Sequence, residues 1–465
     1  MFRGYDIRGL VGKDLSPEIM AHLGRAYATF LHRRQIQECV VGRDIRETSP
    51  EYQKAFMDAL LESGINVTDI GLTLTQIIYF SQYHYLSKGG AMITASHNPR
   101  EFNGLKLGVG FSDTLITKEI EELKIIAQTG EFKTWGKPGV YKEDDVFPFY
   151  MADLFKRVQL HDSGLKVVID SSGATTGAFL PQILREAGCT VIEQNTHLDP
   201  TLSLGTPDPT ERDVLERLAK RVKEEGADLG LAYDSDGDRV GFVDSDGSLI
   251  WNDVLVALFA QDILNFLPGS PIIFNALCSK VAIDTIKAAG GRPVMWITGH
   301  SFIKSKVREE RAPFGGELSG HFFFVDNFYG HDDGAFSTLR LLQYLKRTNQ
   351  TLKEAVSKLP QYISSPEIKL GLPDEIKVEF VKKHFAEDLK VLLPGGESVD
   401  IEGFRVDTAT AMAIIRASQN GPYITIKFEG KTQEEYDRLK HGLHDILKKY
   451  PEVDWTSGVN IHAFE

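Results

Sequence analysis

Cysteine is scarce: Cys39, Cys189 and Cys278 are the only three in 465 residues. They lie far apart, without metal-ligand spacing, and each sits in or beside an apolar segment. They read as buried free thiols of a reducing compartment, which excludes a disulfide scaffold. Basic excess is also absent. Lys and Arg number 52 against 65 Asp and Glu, giving a formal charge of −13 and a pI near 5.5. A chain that acidic offers no general face to nucleic acid or an anionic membrane, although local basic pockets remain open to it. No apolar run approaches a membrane span; even VLVALFAQDILNFL is broken by Gln261 and Asp262. The amino-terminal MFRGYDIRGL has no apolar h-region of a signal peptide. These absences leave a cytoplasmic multidomain enzyme or binding protein as the expectation, with no nucleic-acid and no membrane partner.

What the chain has in abundance is alternation. β-Branched runs alternate with amphipathic segments, the pattern of α/β layers. In the first unit ECVVGRD reads as a strand and SPEYQKAFMDALLESG as a helix capped by Ser49. INVTDIG, TQIIYFSQYHYLSKG and GAMITAS follow as strand, helix and strand. LKVVIDSSG to ADLGLAYDSDGD repeats the order, and SPIIFNA to APFGGELSGH repeats it again. The last hundred residues change texture, with a charged helix DEIKVEFVKKHFAEDL, short strands and EEYDRLKHGLHDILKKY, and read as a separate α+β unit. The expected domains are 1–150, 151–252, 253–364 and 365–465, with the Pro-marked stretches FPFYM and LPQYISSPE as hinges.

Ligands of open α/β sheets collect at the carboxyl ends of the strands. That rule selects one unusual loop per unit: Thr94–Pro99, Asp234–Arg239 and Gly315–His321. In the first, a buried strand ends by presenting Ser96 beside His97, with Gly104 and Lys106 close behind; a plain turn is the alternative reading. In the second, Asp234, Asp236 and Asp238 alternate. Three carboxylates this close repel one another unless a cation sits among them, and hard oxygen donors on a tight loop suit Mg²⁺. An EF-hand is excluded, because its sixth position is Arg239 rather than Gly and its twelfth is Ser245 rather than Glu. The nearby Asp244-Ser245-Asp246-Gly247 reads as a hairpin turn without chemistry.

TASHNP, DSDGDR and GGELSGH, in that order and framed by FRGYDIRG and RASQNGP, resemble the α-D-phosphohexomutase family, most closely its phosphomannomutase/phosphoglucomutase branch. The likeness spans nearly the whole chain. It implies three similar α/β domains with mixed sheets plus a smaller C-terminal α+β domain around a central cleft. It implies a phosphoserine at Ser96, with His97, Lys106, Arg239 and His321 as further catalytic candidates. The implied metal ligands are Ser96, Asp234, Asp236 and Asp238, holding Mg²⁺. Tyr5, Arg8, Lys280, His300, Glu317 and Ser319 match family positions that face the substrate. Arg416 and Ser418, with Asn420 and Gly421, match its phosphate clamp, where Gln419-Asn420-Gly421 departs from the family's usual Asn-Thr.

The implied reaction interconverts hexose 1-phosphate and hexose 6-phosphate of mannose and glucose through a hexose 1,6-bisphosphate. The implied partner is a phosphosugar, and the chain is expected to act as a monomer or weak homodimer. Rival readings are a phosphoglucosamine mutase, whose loop commonly carries Gln where Leu318 stands, and a non-catalytic phosphosugar-binding protein on the same fold. A phosphatase with an Asp nucleophile is a third, disfavoured because its attacking Asp normally follows an apolar strand in another context.

Overall fold

The computed structural model of the chain describes residues 1–418 and 421–464. Four sheets form in chain order. In the first, Asn66–Leu72, Glu38–Arg43 and Gly89–Ile93 run parallel, and Phe102–Gly110 pairs antiparallel with the last of these. The second repeats the order with Thr190–Gln194, Lys166–Asp170, Leu229–Tyr233 and the antiparallel Val240–Asp244. The third repeats it again with Arg292–Trp296, Pro271–Asn275, Phe314–Gly316 and the antiparallel Phe322–Phe324. The inner strands Gly89–Ile93, Lys166–Asp170, Leu229–Tyr233 and Pro271–Asn275 are almost continuously buried because helices cover both faces, whereas the outer Asn66–Leu72, Thr190–Gln194 and Arg292–Trp296 are partly exposed. The fourth strand of each unit reverses direction, so the connection from third to fourth strand is a hairpin loop at the carboxyl end of a buried strand. All three motif loops are that connection.

The fourth sheet is antiparallel throughout, and Ala411–Ala417 pairs with Tyr423–Gly430 on either side of the RASQNGP stretch, whose residues 419 and 420 lie outside the described ones. The fold is thus three α/β units with mixed sheets plus a C-terminal α+β unit. The Asp244–Gly247 turn joins Val240–Asp244 to Leu249–Ile250, with Gly247 at φ +80°. All three cysteines are buried and free. No helix among the described residues is long and apolar enough to cross a membrane.

Three local expectations need correction. FPFYM is not an open linker: Phe147 and Pro148 open the helix Phe147–Val158, whose Tyr150 and Leu154 are fully buried in an apolar core running from Val40 to Ile414. Within LPQYISSPE, Ile363–Ser364 is a strand paired with Gly430 and Glu429. Ser49 is the first residue of helix Ser49–Glu62 rather than its cap, and its Oγ donates to Asp44 at 2.6 Å. In each case a tertiary partner took residues whose local chemistry favoured a turn or cap.

The C-terminal unit is fastened to the third by buried polar groups. Arg405, 1% exposed, grips Asp407 at 2.7 and 2.8 Å and reaches across to the carbonyls of Ala276 (2.7 Å) and Cys278 (2.6 Å). Glu429 accepts from Ser279 Oγ at 2.9 Å and Lys280 N at 3.0 Å, so its carboxylate caps the start of helix Lys280–Ala288. Removing one partner of such a buried network strands the others in a low dielectric. Arg405→Met is therefore expected to cost about 3–5 kcal/mol and to split calorimetric melting, with the C-terminal unit unfolding first. A single unshifted transition would count against Arg405 as the fastening.

Candidate active site

The serine loop is held from beneath. Ser96 has φ +51°, a left-handed backbone that costs a non-glycine residue about 1–2 kcal/mol. Arg46 offsets that strain with its planar fork. Its Nη2 donates to the Ser96 and Asn98 carbonyls, both at 2.7 Å, and its Nη1 to those of Pro99 (2.9 Å) and Phe102 (3.1 Å). Asp44 fixes the Arg46 Nε at 3.0 Å. Arg8 braces the same loop, donating to Asn98 Oδ1 at 2.6 Å while paired with Asp6. The result is a buried hydroxyl with a set direction. Ser96 Oγ donates to Asp234 Oδ2 at 2.8 Å and lies 3.3 Å from His97 Nδ1. Burial, with Arg239 and Arg8 nearby, pushes the His97 imidazole well below its usual pKa and keeps it neutral.

The aspartate loop leaves the strand Leu229–Tyr233 with all three carboxylates fully buried. One oxygen from each lies within 4.8 Å of the others. Gly237 N and Arg239 N donate to Asp234 Oδ1 at 3.0 and 3.2 Å. Thr75, first residue of helix Thr75–His84, donates its hydroxyl to Asp236 Oδ2 at 2.7 Å, placing that carboxylate on the positive end of the helix. Lys106 Nζ is 2.8 Å from Asp236 Oδ2 and also pairs with Asp238. Burial disfavours the Lys106 ammonium, but Asp236 and Asp238 outweigh it and hold its pKa above the usual lysine range. Burial and the two neighbouring carboxylates push Asp234 well above the usual carboxylate range.

Lys106, together with an Arg239 that lies 4.0 Å from Asp234 Oδ2 and is shared with Asp208, does not balance three buried carboxylates, and Asp236 Oδ1 and Asp238 Oδ1 have no hydrogen-bond partner. An all-oxygen donor set with two orphaned oxygens fits a hard divalent cation such as Mg²⁺.

The third loop presents Glu317 and Ser319. Glu317 Oε1 accepts from Gly299 N at 2.7 Å, and burial raises its pKa. Gly299 has φ +132°, and a Cβ there would stand 2.8 Å from the Tyr5 ring, so only glycine fits. His300 meets Tyr5 edge-on at 4.8 Å and stacks on His321 at 5.5 Å between centroids. Arg239 Nε donates to His321 Nε2 at 2.9 Å. A guanidinium only donates, so the ring accepts at Nε2 and its N–H is Nδ1, 3.0 Å from Asp332 Oδ2. Asp332 also lies 3.4 Å from His300 Nδ1 and 3.5 Å from Lys304 Nζ.

These loops surround one cavity of about 530 Å³. Its wall draws Tyr5 and His97 from the first unit, Asp208 and Arg239 from the second, His300, Glu317, Ser319 and His321 from the third, and Lys369 and Arg416 from the fourth. Arg8 stands under the serine loop rather than in the wall. Lys280 is not brought there: its Nζ turns along its own helix to Asp284 at 3.9 Å and over the Tyr362 ring. Ser418 lines a separate cavity of about 570 Å³ with Arg3 and Lys377. Gly421 accepts from Lys377 Nζ at 2.7 Å through its carbonyl. Asn420 lies outside the described residues. Arg46, Asp208, Lys304 and Asp332 went unmarked in the sequence, although the Asp doublet in GHDDG after an apolar run was a usable sign of the last.

Three hairpin-loop α/β units and an antiparallel fourth, arranged about one polar cavity, define the phosphohexomutase class. Domain models described as "Phosphoglucomutase/phosphomannomutase, alpha/beta/alpha domain I", "domain II" and "domain III" match residues 1–134, 148–247 and 251–362. The "Phosphomannomutase/phosphoglucomutase" of Pseudomonas aeruginosa is 36% identical over 96% of this chain and 95% of its own length. The "Phosphoglucomutase" of Neisseria gonorrhoeae is 34% identical over 98% of both. The crystal structure of a phosphoglucomutase/phosphomannomutase family protein from Burkholderia thailandensis superposes with a TM-score of 0.87 at 31% identity, covering 96% of this chain and 97% of that one.

The chain belongs to the phosphoglucomutase/phosphomannomutase branch of the α-D-phosphohexomutase superfamily. It is an intramolecular phosphotransferase with the mutase activity general to that family.

Asp236→Asn removes one carboxylate from the trio while keeping its shape. Mg²⁺ affinity measured by titration calorimetry is expected to fall by at least about tenfold, the cost of losing even an outer-shell metal partner. Unchanged affinity would remove Asp236 from the ligand set.

Proposed function

We propose that this enzyme interconverts the 1- and 6-phosphates of mannose and glucose, with Ser96 phosphorylated in the resting state. The single observation that carries the reading is the Ser96 hydroxyl, buried and bonded at 2.8 Å to the first aspartate of a trio built for a cation. In this reading the free hydroxyl of a hexose 1- or 6-phosphate attacks the phosphorus on Ser96. The new O–P bond forms as the Oγ–P bond breaks. The bisphosphate then presents its other phosphate, and the same exchange runs in reverse.

A divalent cation on Asp234, Asp236 and Asp238 supplies positive charge that offsets a phosphate of nearly two negative charges on Ser96. Lys106 and Arg239 add fixed positive charge beside the moving phosphoryl group, so catalysis rests on positioning and electrostatics. His97, held neutral, hydrogen-bonds the serine oxygen without competing for that charge. His321, oriented by Asp332 and Arg239, is the imidazole available for the proton of the attacking hydroxyl once Arg239 turns to phosphate. Arg416 holds whichever phosphate is not reacting.

Ser96→Ala is expected to remove one phosphate increment from the intact mass and to lower turnover by several orders of magnitude, with thermal melting unmoved. Undiminished mutase activity in the purified variant would overturn the role of Ser96.

Sugar choice follows from what the third loop lacks. Glucose and mannose differ only at the second carbon. Glu317 and Ser319, read as anchoring two neighbouring hydroxyls, do not sense that carbon, and Leu318 between them offers it no hydrogen bond. A site without a contact to a group discriminates weakly, whereas one built to bond it rejects analogues strongly. The relative from Pseudomonas aeruginosa carries both sugars in its name. Comparable kcat/KM on glucose 1-phosphate and mannose 1-phosphate is expected, with glucosamine 1-phosphate clearly poorer, and Glu317→Ala should lower both hexose activities together. A wild-type preference for the glucosamine phosphate, or loss of one hexose alone, would refute this account.

A further inference from the structure

Glu402 lines the separate cavity beside Ser418 and reaches from behind to Arg416 and Thr298, two residues of the main cavity's wall. Its side chain is 1% exposed. Oε2 lies 3.5 Å from Arg416 Nη1 and accepts from Thr298 N at 2.9 Å, while Oε1 accepts from Thr298 Oγ1 at 2.5 Å. The very next residue, Gly299, gives its N–H to Glu317 at 2.7 Å. Two buried carboxylates from different units therefore grip successive residues of one loop. That loop has little freedom, because Gly299 is in the left-handed half of backbone space and packs against Tyr5. Arg416 Nε is buried without a partner. Glu402 thus engages one nitrogen of the guanidinium and leaves another for an anion.

We propose that Glu402 is a positioning residue that couples the phosphate clamp to the sugar anchor. It holds Arg416 through Nη1 and the Thr298–Gly299 loop through an amide and a hydroxyl, and so sets where Arg416 stands relative to Glu317. This rests on the reading of Arg416 as a phosphate ligand and Glu317 as a sugar anchor. Its sign is opposite to that of plain charge neutralisation. If Glu402 only offset the charge of Arg416, removing it would leave a stronger anion site. If it positions Arg416, removing it weakens the anion site despite the gain in net positive charge.

The test uses inorganic phosphate as the probe. Its dissociation constant is measured by titration calorimetry on the full-length protein, and KM and kcat for glucose 1-phosphate are measured alongside. Glu402→Gln is expected to weaken phosphate binding and to raise KM by about tenfold, the worth of one hydrogen bond to a charged group, with a smaller fall in kcat from the shifted Gly299–Glu317 contact. Thr298→Val, which removes the hydroxyl that donates to Glu402 and accepts from Asn275 Nδ2 at 3.0 Å, should weaken phosphate binding in the same direction by less, with Asn275→Ala as the control for that second contact. Its effect combined with Glu402→Gln should be clearly less than additive, as for residues in one network. Tighter phosphate binding by Glu402→Gln, or strict additivity of the two changes, overturns the proposal. Should Glu402→Gln fail to fold, Thr298→Val decides, and unchanged phosphate binding there overturns it. Arg416→Ala is the control for the underlying reading. If it leaves phosphate binding intact, the clamp assignment falls and takes the coupling with it; if it abolishes binding, the fate of Glu402 is judged on its own.

Discussion

Three carboxylates gathered out of water on one short loop are the constraint around which the rest of this molecule is arranged. Left to themselves they repel, and their desolvation is costly. The fold answers with everything available nearby. The start of helix Thr75–His84 donates to Asp236, the loop's own amides donate to Asp234, and Lys106 reaches in from the neighbouring sheet. Those partners belong to the first and second units, so the same bonds that make the acidic loop tolerable also dock the two units together. Two oxygens are still left over. A site satisfied only when a further cation arrives is the electrostatic counterpart of a socket.

The serine loop shows the complementary strategy. Its strain is local, and Arg46 answers it by collecting four carbonyls that a turn of this shape would otherwise leave pointing inward. Strain of this kind persists only where the surroundings over-determine it. Arg46 contributes nothing to the cavity wall, yet the direction of the Ser96 hydroxyl depends on it.

Much of this was legible in the chain itself, for a physical reason. A buried strand that stops at a serine, an aspartate trio or a Glu-Leu-Ser triplet carries polar residues where packing has no use for them, and Ser96, Asp234, Asp236, Asp238 and Glu317 stood out on that ground. The repeated succession of strands and helices in the three units followed from alternation alone, whereas the order of strands in each sheet and the antiparallel fourth strand came from the structure. What escaped were residues whose meaning is conferred by distant partners. Arg46, Lys304 and Glu402 look locally like any surface charge, and their burial is a property of the assembled fold. The reverse error has the same origin. Lys280 shares a sequence neighbourhood with the site, but its helix start is occupied by Glu429 and its side chain runs the other way.

The cavity has no floor of its own: every stretch of its wall is lent by a different sheet. A sugar phosphate bound as proposed by Arg239, Glu317 and Arg416 at once would therefore act as a keystone, cross-linking units that already share the apolar core from Val40 to Ile414 and buried polar fastenings such as Arg405. Binding free energy and inter-unit cohesion become the same quantity, since a ligand held only by the assembled form adds its affinity to the stability of that form. Turnover then carries a mechanical cost, because each product that leaves removes the piece against which the units were leaning.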